Sequence, residues 1–213
     1  MRIIIFGDSI TQGFFDTSCG GWANRLHTYV MTQVAHDLTP ENLPHVSDVF
    51  QLGIGGDTIA RLAERFDVEF VRRRRKDGKT LTIFALGVND SKTMPDGTYR
   101  TPINDFKAHY TQIIHEAKNA GPVMLIGLAP IDEERLNPAP WDRAYGFPEG
   151  SRALFDTAVQ ELAREHGCTF ISMDGVFGDD VAGRTTDGIH PNAEGHQLMF
   201  ERIRDALVKE DLL

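Results

Sequence analysis

Four short segments of this chain hold side chains that could carry out acyl transfer. The first, Phe6-Gly7-Asp8-Ser9-Ile10-Thr11, sets a serine just behind a short apolar run. Gly7 permits a tight turn, and a serine opening a helical turn can offer its hydroxyl together with its own backbone N–H to a reacting carbonyl. The same residues read equally well as a plain helix cap. The second, Gly53-Ile54-Gly55-Gly56-Asp57-Thr58, has a backbone that can approach a ligand closely and donate to it. It is also what a turn into a helix capped by Asp57 or Thr58 looks like. In the third, Gly87-Val88-Asn89-Asp90, the Asn89 amide can hold a negative oxygen without titrating, or simply cap a turn. The fourth is Asp187-Gly188-Ile189-His190-Pro191. A carboxylate three residues before an imidazole can fix its tautomer, which leaves the other ring nitrogen free to take a proton from Ser9.

The elements between these segments say where they must lie. Apolar runs at Ile3 to Phe6, Val46 to Leu52, Leu81 to Leu86, Val123 to Leu128 and Cys168 to Met173 suit strands covered on both faces. Between them the apolar residues fall at helical spacing: Trp22, Leu26, Tyr29 and Val30; Ile59, Leu62 and Phe66; Phe106, Tyr110, Ile113 and Ile114; and Leu154, Ala158, Val159 and Leu162. A last helix is expected from near Pro191, with Leu198, Met199, Ile203 and Leu207 inward. Gly121-Pro122 and Gly167 mark helix stops. Strand and helix alternate throughout, which predicts one α/β domain over residues 1–213, a three-layer α/β/α sandwich around a parallel sheet of about five strands. Such sheets bind ligands beyond the carboxyl ends of their strands, where the first three segments converge. The irregular stretch from Ile131 to Gly150, with Trp141, has the length of a binding loop.

Composition narrows the function classes. A net charge of −9 argues against a nucleic-acid partner. The basic run Arg72 to Lys76 suits the solvated carboxyl end of a helix. The N-terminal apolar run stops at Gly7-Asp8, too short for a signal-peptide core or a membrane span, so a cytoplasmic protein without membrane insertion is expected. Cys19 and Cys168 make neither a disulfide framework nor a zinc-ligand spacing.

In this order and spacing, the four segments resemble the four blocks of the SGNH hydrolase superfamily, whose GDSL esterases and lipases share a flavodoxin-like fold. The resemblance runs from Gly7 to His190. It implies Ser9 as nucleophile, with Asp187 and His190 completing the triad. The Ser9 N–H, the Gly56 N–H and the Asn89 side chain would form the oxyanion hole. Gly53 and Gly55 lie close by, and Gly56 is matched because it precedes Asp57-Thr58. Ile10 stands where the GDSL name has leucine, a mild apolar change. The implied activity is two-step hydrolysis of small acyl esters, short-chain or acetyl, an acetylated carbohydrate among them, with no metal or organic cofactor.

The residues also bear on two rival functions. A metal-dependent phosphoesterase could use Asp8, Asp57, Asn89 and His190, but the Asp-x-His and Gly-Asn-His signatures of binuclear enzymes are missing from the chain. A non-catalytic binding module on the same fold would have no use for the whole set of nucleophile, base, orienter and oxyanion donors. Asp8, Phe14 and Trp141 are candidate substrate contacts, although capping suits Asp8 and a core position suits Trp22 or Trp141. Phe14 and Phe15 could wall the nucleophile turn. His196 is expected at the surface.

Overall fold

The computed structural model describes residues 1–41, 47–77 and 79–213. Among these residues, β1 (Arg2–Gly7), β2 (Asp48–Gly53), β3 (Thr80–Ala85), β4 (Val123–Ile126) and β5 (Thr169–Ile171) form one parallel sheet in the order β2-β1-β3-β4-β5. This is the flavodoxin-like order. Position 46, expected to open the second strand, lies outside the described residues. Helices α2 (Trp22–His36) and α8 (Ala193–Lys209) pack together on one side, while α3 (Ile59–Arg73), α4 (Ile103–Lys118) and α6 (Glu149–His166) pack in series on the other. The three-layer expectation holds.

The unbroken apolar strands are buried on both faces. Ile3, Ile4, Ile5 and Phe6 of β1 lose all exposure. Phe6 meets Phe66 of α3 at 5.1 Å between centroids and Phe84 of β3 at 5.8 Å, and edge-on contacts continue through Tyr110 and Phe106 to Phe155. Leu154, expected in the core, is 41% exposed, and Phe155 takes its place. Adjacent residues on a helix sit about 100° apart, so the apolar stripe of α6 starts one position later than its spacing suggested.

β4 and β5 end earlier than their apolar runs. Gly127 still donates to Ile171 O at 2.9 Å, but the next amide, Leu128, donates to the Asp156 carboxylate at 2.7 Å. A buried side chain has replaced the ladder. The basic run sits as expected, with Arg72 and Arg73 in the last turn of α3. After the one-turn helix α7 (Val181–Arg184), α8 begins at Ala193 rather than Pro191, because the Asn192 side chain caps it by accepting from the amides of Glu194 and Gly195. The 131–150 stretch is less irregular than expected, holding the one-turn helix α5 (Glu133–Leu136) and the start of α6.

Register fixes where the candidate residues emerge. Gly7 pairs with Gly53 on one side and Ala85 on the other, so the three segments that follow β1, β2 and β3 leave the sheet side by side. A Cβ at Gly7 would collide with the Thr11 side chain in the turn that carries Ser9. We therefore expect Gly7→Ala to lower stability by about 1–3 kcal/mol, as overpacking does. Urea unfolding would measure it, and a neutral result would contradict this packing of the turn.

Candidate active site

Ser9 opens α1 (Ser9–Gln12), a single helical turn set on the end of β1. Asp8 is its cap, Oδ1 accepting from the Ile10 amide at 2.9 Å, and Gly13 closes the turn in the left-handed conformation that glycine tolerates. Burial pushes the Asp8 carboxyl up to about 6, despite the Ile10 hydrogen bond and the nearby His190. Ser9 is only 4% exposed, and its Oγ lies 2.8 Å from His190 Nε2.

On the far side of the imidazole, Nδ1 is 2.7 Å from Asp187 Oδ2, while Asp187 Oδ1 accepts from the amides of Ile189 and His190. Burial opposes ionisation of Asp187, but the His190 side chain and these two amides outweigh it, holding the carboxyl below its ordinary value. An ionised carboxylate at Nδ1 keeps the proton there, so Nε2 faces the serine with a lone pair.

The other two segments supply donors. Asn89 Nδ2 is buried with no hydrogen-bond partner. Leaving such a group unpaired costs about 1–3 kcal/mol, so the orphan donor calls for an acceptor. Gly56 has φ +74°, and a Cβ there would meet nothing within 4 Å. Gly55 has already given its amide to Gln12 Oε1 at 2.7 Å, and a Cβ at Gly53 would collide with the α1 backbone. Of the three glycines, Gly56 is the one that lines the cavity over Ser9.

That cavity measures about 180 Å³ and is walled by Phe14, Val88, Trp141, Tyr145, Phe147 and Ile189 around Ser9, Asn89 and His190. Phe14 and Trp141 have ring centroids 5.5 and 6.3 Å from that of His190. Phe15 meets the imidazole edge-on at 5.4 Å. Asp8 does not join them; it lies buried behind the turn as its cap. Of the two capping candidates after β2, Thr58 caps α3 while Asp57 pairs with Arg65 at 2.7 Å. Trp22 is a fully buried core residue.

The model of the GDSL-like lipase/acylhydrolase family matches residues 5–198. The chain belongs to this family. The GDSL-like protein is thus a carboxylic-ester hydrolase. Its fold is similar to that of a lipase/acylhydrolase from Enterococcus faecalis, with a TM-score of 0.71 at 21% identity over 97% of this chain and 94% of the other. An acetyl xylan esterase, AlAXEase, matches with a TM-score of 0.70 at 20% identity over 97% and 100%. Axe2, an acetylxylan esterase from Geobacillus stearothermophilus, gives 0.67 at 17% over 96% and 92%. No match is found among curated protein sequences.

Sequence reasoning missed several residues that shape the site of this GDSL-like hydrolase. Lys92, Arg100, Tyr145 and Phe147 line the cavity, yet they come from loops with no periodicity to flag them. Asp16 organises the loop after α1, accepting from Ser18, Cys19, Gly21 and Arg25. His196, expected at the surface, has no exposure at all. Its Nδ1 accepts from the Trp22 amide and its Nε2 donates to the Phe14 carbonyl, both at 3.3 Å. The first turn of α8 faces the Phe14 loop instead of solvent, and helical spacing alone could not reveal that partner.

Burial lowers the His196 pKa from 6.5 to about 4, against the accepting Phe14 carbonyl and the nearby Asp16. Because the folded value lies below the unfolded one, this group's stabilisation is complete above about pH 6.5 and is lost as pH falls towards 4. The loss is of order 3 kcal/mol at most. Asp8 and Asp90, raised by burial to about 6 and about 7, act with the opposite sign. The difference between wild type and His196→Asn therefore isolates the imidazole. We expect the variant to be less stable at neutral pH and the gap to narrow in acid. A gap that stays constant from neutral pH to 4 would contradict the buried neutral imidazole.

Proposed function

We propose that this GDSL-like enzyme hydrolyses small, short-chain acyl esters through a Ser9-His190-Asp187 triad and an acyl-enzyme. One observation carries the reading: an unbroken hydrogen-bonded run from Ser9 Oγ through both nitrogens of His190 to Asp187, opening onto a cavity with an unpartnered donor. In the first step, His190 Nε2 takes the Ser9 proton as Oγ bonds to the ester carbonyl carbon. The carbonyl π pair moves onto oxygen, where the Ser9 and Gly56 amides and Asn89 Nδ2 receive it. Collapse of this intermediate breaks the bond to the alcohol, which leaves with the proton held on Nε2. Asp187 stabilises the imidazolium throughout without taking its proton. Water then repeats the sequence on the acyl-enzyme, releasing the acid and restoring Ser9.

The cavity of about 180 Å³ favours a short acyl group. Phe14, Trp141, Tyr145 and Phe147 give it flat apolar walls of the kind that receive a sugar ring or another compact alcohol. Two of the structurally similar proteins are acetylxylan esterases, which supports an acetylated carbohydrate as a natural substrate class.

A series of p-nitrophenyl esters from acetyl to long acyl chains tests this reading. Ser9→Ala should lower kcat by roughly 10⁴-fold or more with the fold intact by circular dichroism, and chelators should have no effect. Asn89→Ala should lower kcat by about 10²–10³ with little change in KM. Residual turnover by Ser9→Ala near the wild-type rate would overturn the nucleophile, and a loss confined to KM would remove Asn89 from the oxyanion hole.

A further inference from the structure

The cavity over Ser9 is lined by two cations, Lys92 and Arg100, and by no carboxylate. In a chain of net charge −9 this is a local reversal. Among the described residues, no carboxylate lies within 4.0 Å of either head group.

The backbone brings the two together. Arg100 donates its amide to Lys92 O at 2.8 Å, Met94 to Thr98 O at 2.8 Å, and Thr93 bridges Tyr99, so the chain folds back between them. The Lys92 ammonium sits 3.5 Å from the Tyr145 ring centroid, held on the aromatic wall by the ring's negative face. Arg100 Nη1 reaches the Gly56 carbonyl at 3.3 Å, and its remaining N–H groups have no partner of opposite charge. Burial and then Arg100 lower the Lys92 pKa, with Asp142 opposing, while Arg100 in turn favours ionisation of the buried Asp90. Two like charges half-buried side by side cost stability unless an anion joins them.

We propose that the esters this enzyme takes carry a carboxylate, which Lys92 and Arg100 bind while the ester carbonyl rests on Ser9. This rests on the reading of Ser9 given above and names the substrate class for it. Arg100 supplies a planar fork suited to a carboxylate and Lys92 a point charge beside it. The carboxylate sits on the acyl half, as in a hemiester of a diacid, or on the alcohol half, as in an acetylated acidic sugar. Neither cation is placed to serve the oxyanion instead, since Arg100 is tied to the carbonyl side of Gly56 and Lys92 to Tyr145.

Two matched pairs test this, each compared by kcat/KM above the uncatalysed rate. For the acyl half they are p-nitrophenyl hemisuccinate and p-nitrophenyl butyrate; for the alcohol half, 4-acetoxybenzoate and its methyl ester. Wild type should prefer the anionic member of one pair by about tenfold or more, and that pair identifies the half. The preference should shrink in high salt. Lys92→Met should reduce it about tenfold, mainly through KM, and Lys92→Arg should restore it. A ratio at or below one in both pairs overturns the proposal while leaving the serine mechanism standing. So does a ratio unmoved by Lys92→Met, which would mean both esters lose equally and the charge serves the oxyanion. If wild type turns over none of the four, the Ser9 reading fails instead. Calorimetry with Ser9→Ala protein then decides the anion site: monoethyl succinate binding that diethyl succinate does not share, and that Lys92→Met abolishes, upholds it. Equal or no binding overturns it.

Discussion

The hydrogen bond between Ser9 Oγ and His190 Nε2 joins residues 181 apart in sequence, and much of the fold serves to hold its two ends at 2.8 Å. Ser9 is carried by the end of the fully buried strand β1, whose register with β2 and β3 sets the floor of the site. His190 lies in the loop leading into α8, and α8 packs on α2. Two side chains tie these parts together: His196 bonds both to the Trp22 amide and to Phe14 O. Arg25 of α2 reaches Asp16, Gln197 and the Ala193 carbonyl. A bond of this length tolerates an error of only a few tenths of an ångström, and such ties on rigid elements limit it.

Several features of the site are unfavourable for folding by themselves. Phe15 adopts φ 64° without being glycine, beside the imidazole. Asn89 Nδ2 is buried and unpaired, Asp8 is buried as a carboxyl, and Lys92 and Arg100 line one cavity with no carboxylate among its lining residues. Each costs of order 1–3 kcal/mol at most. All of these border one cavity or the turn that supports it; the sheet beneath is mainly apolar, although the Thr82 hydroxyl of β3 is likewise buried without a partner. Local conflicts of this kind concentrate where a protein handles charge.

That division explains what was legible in the sequence. The strands β1 and β3 and the helices α2, α3 and α4 could be read because burial on both faces or on one stripe leaves a period in the residues. The four chemical segments could be read because strand ends in a parallel sheet share one edge. Misreadings came where a partner from a distant part of the chain decided the outcome. Asp156 ends β4, the Phe14 loop buries His196, and the stripe of α6 is set by what Phe155 meets. Lys92 and Arg100 were invisible for the same reason, since only the fold-back between them places both over Ser9. Asp8, a candidate substrate contact by its place beside Ser9, turns inward because its carboxyl satisfies the amide it caps.

The most direct test of the central claim is covalent labelling with an organophosphorus ester, followed by intact mass, peptide mapping and residual esterase activity on the same samples. A nucleophile activated by His190 predicts one phosphyl group per chain, on the peptide carrying Ser9, with activity falling in proportion to labelling. Full activity in protein labelled to completion at Ser9, or inactivation with the label on another residue, would contradict it.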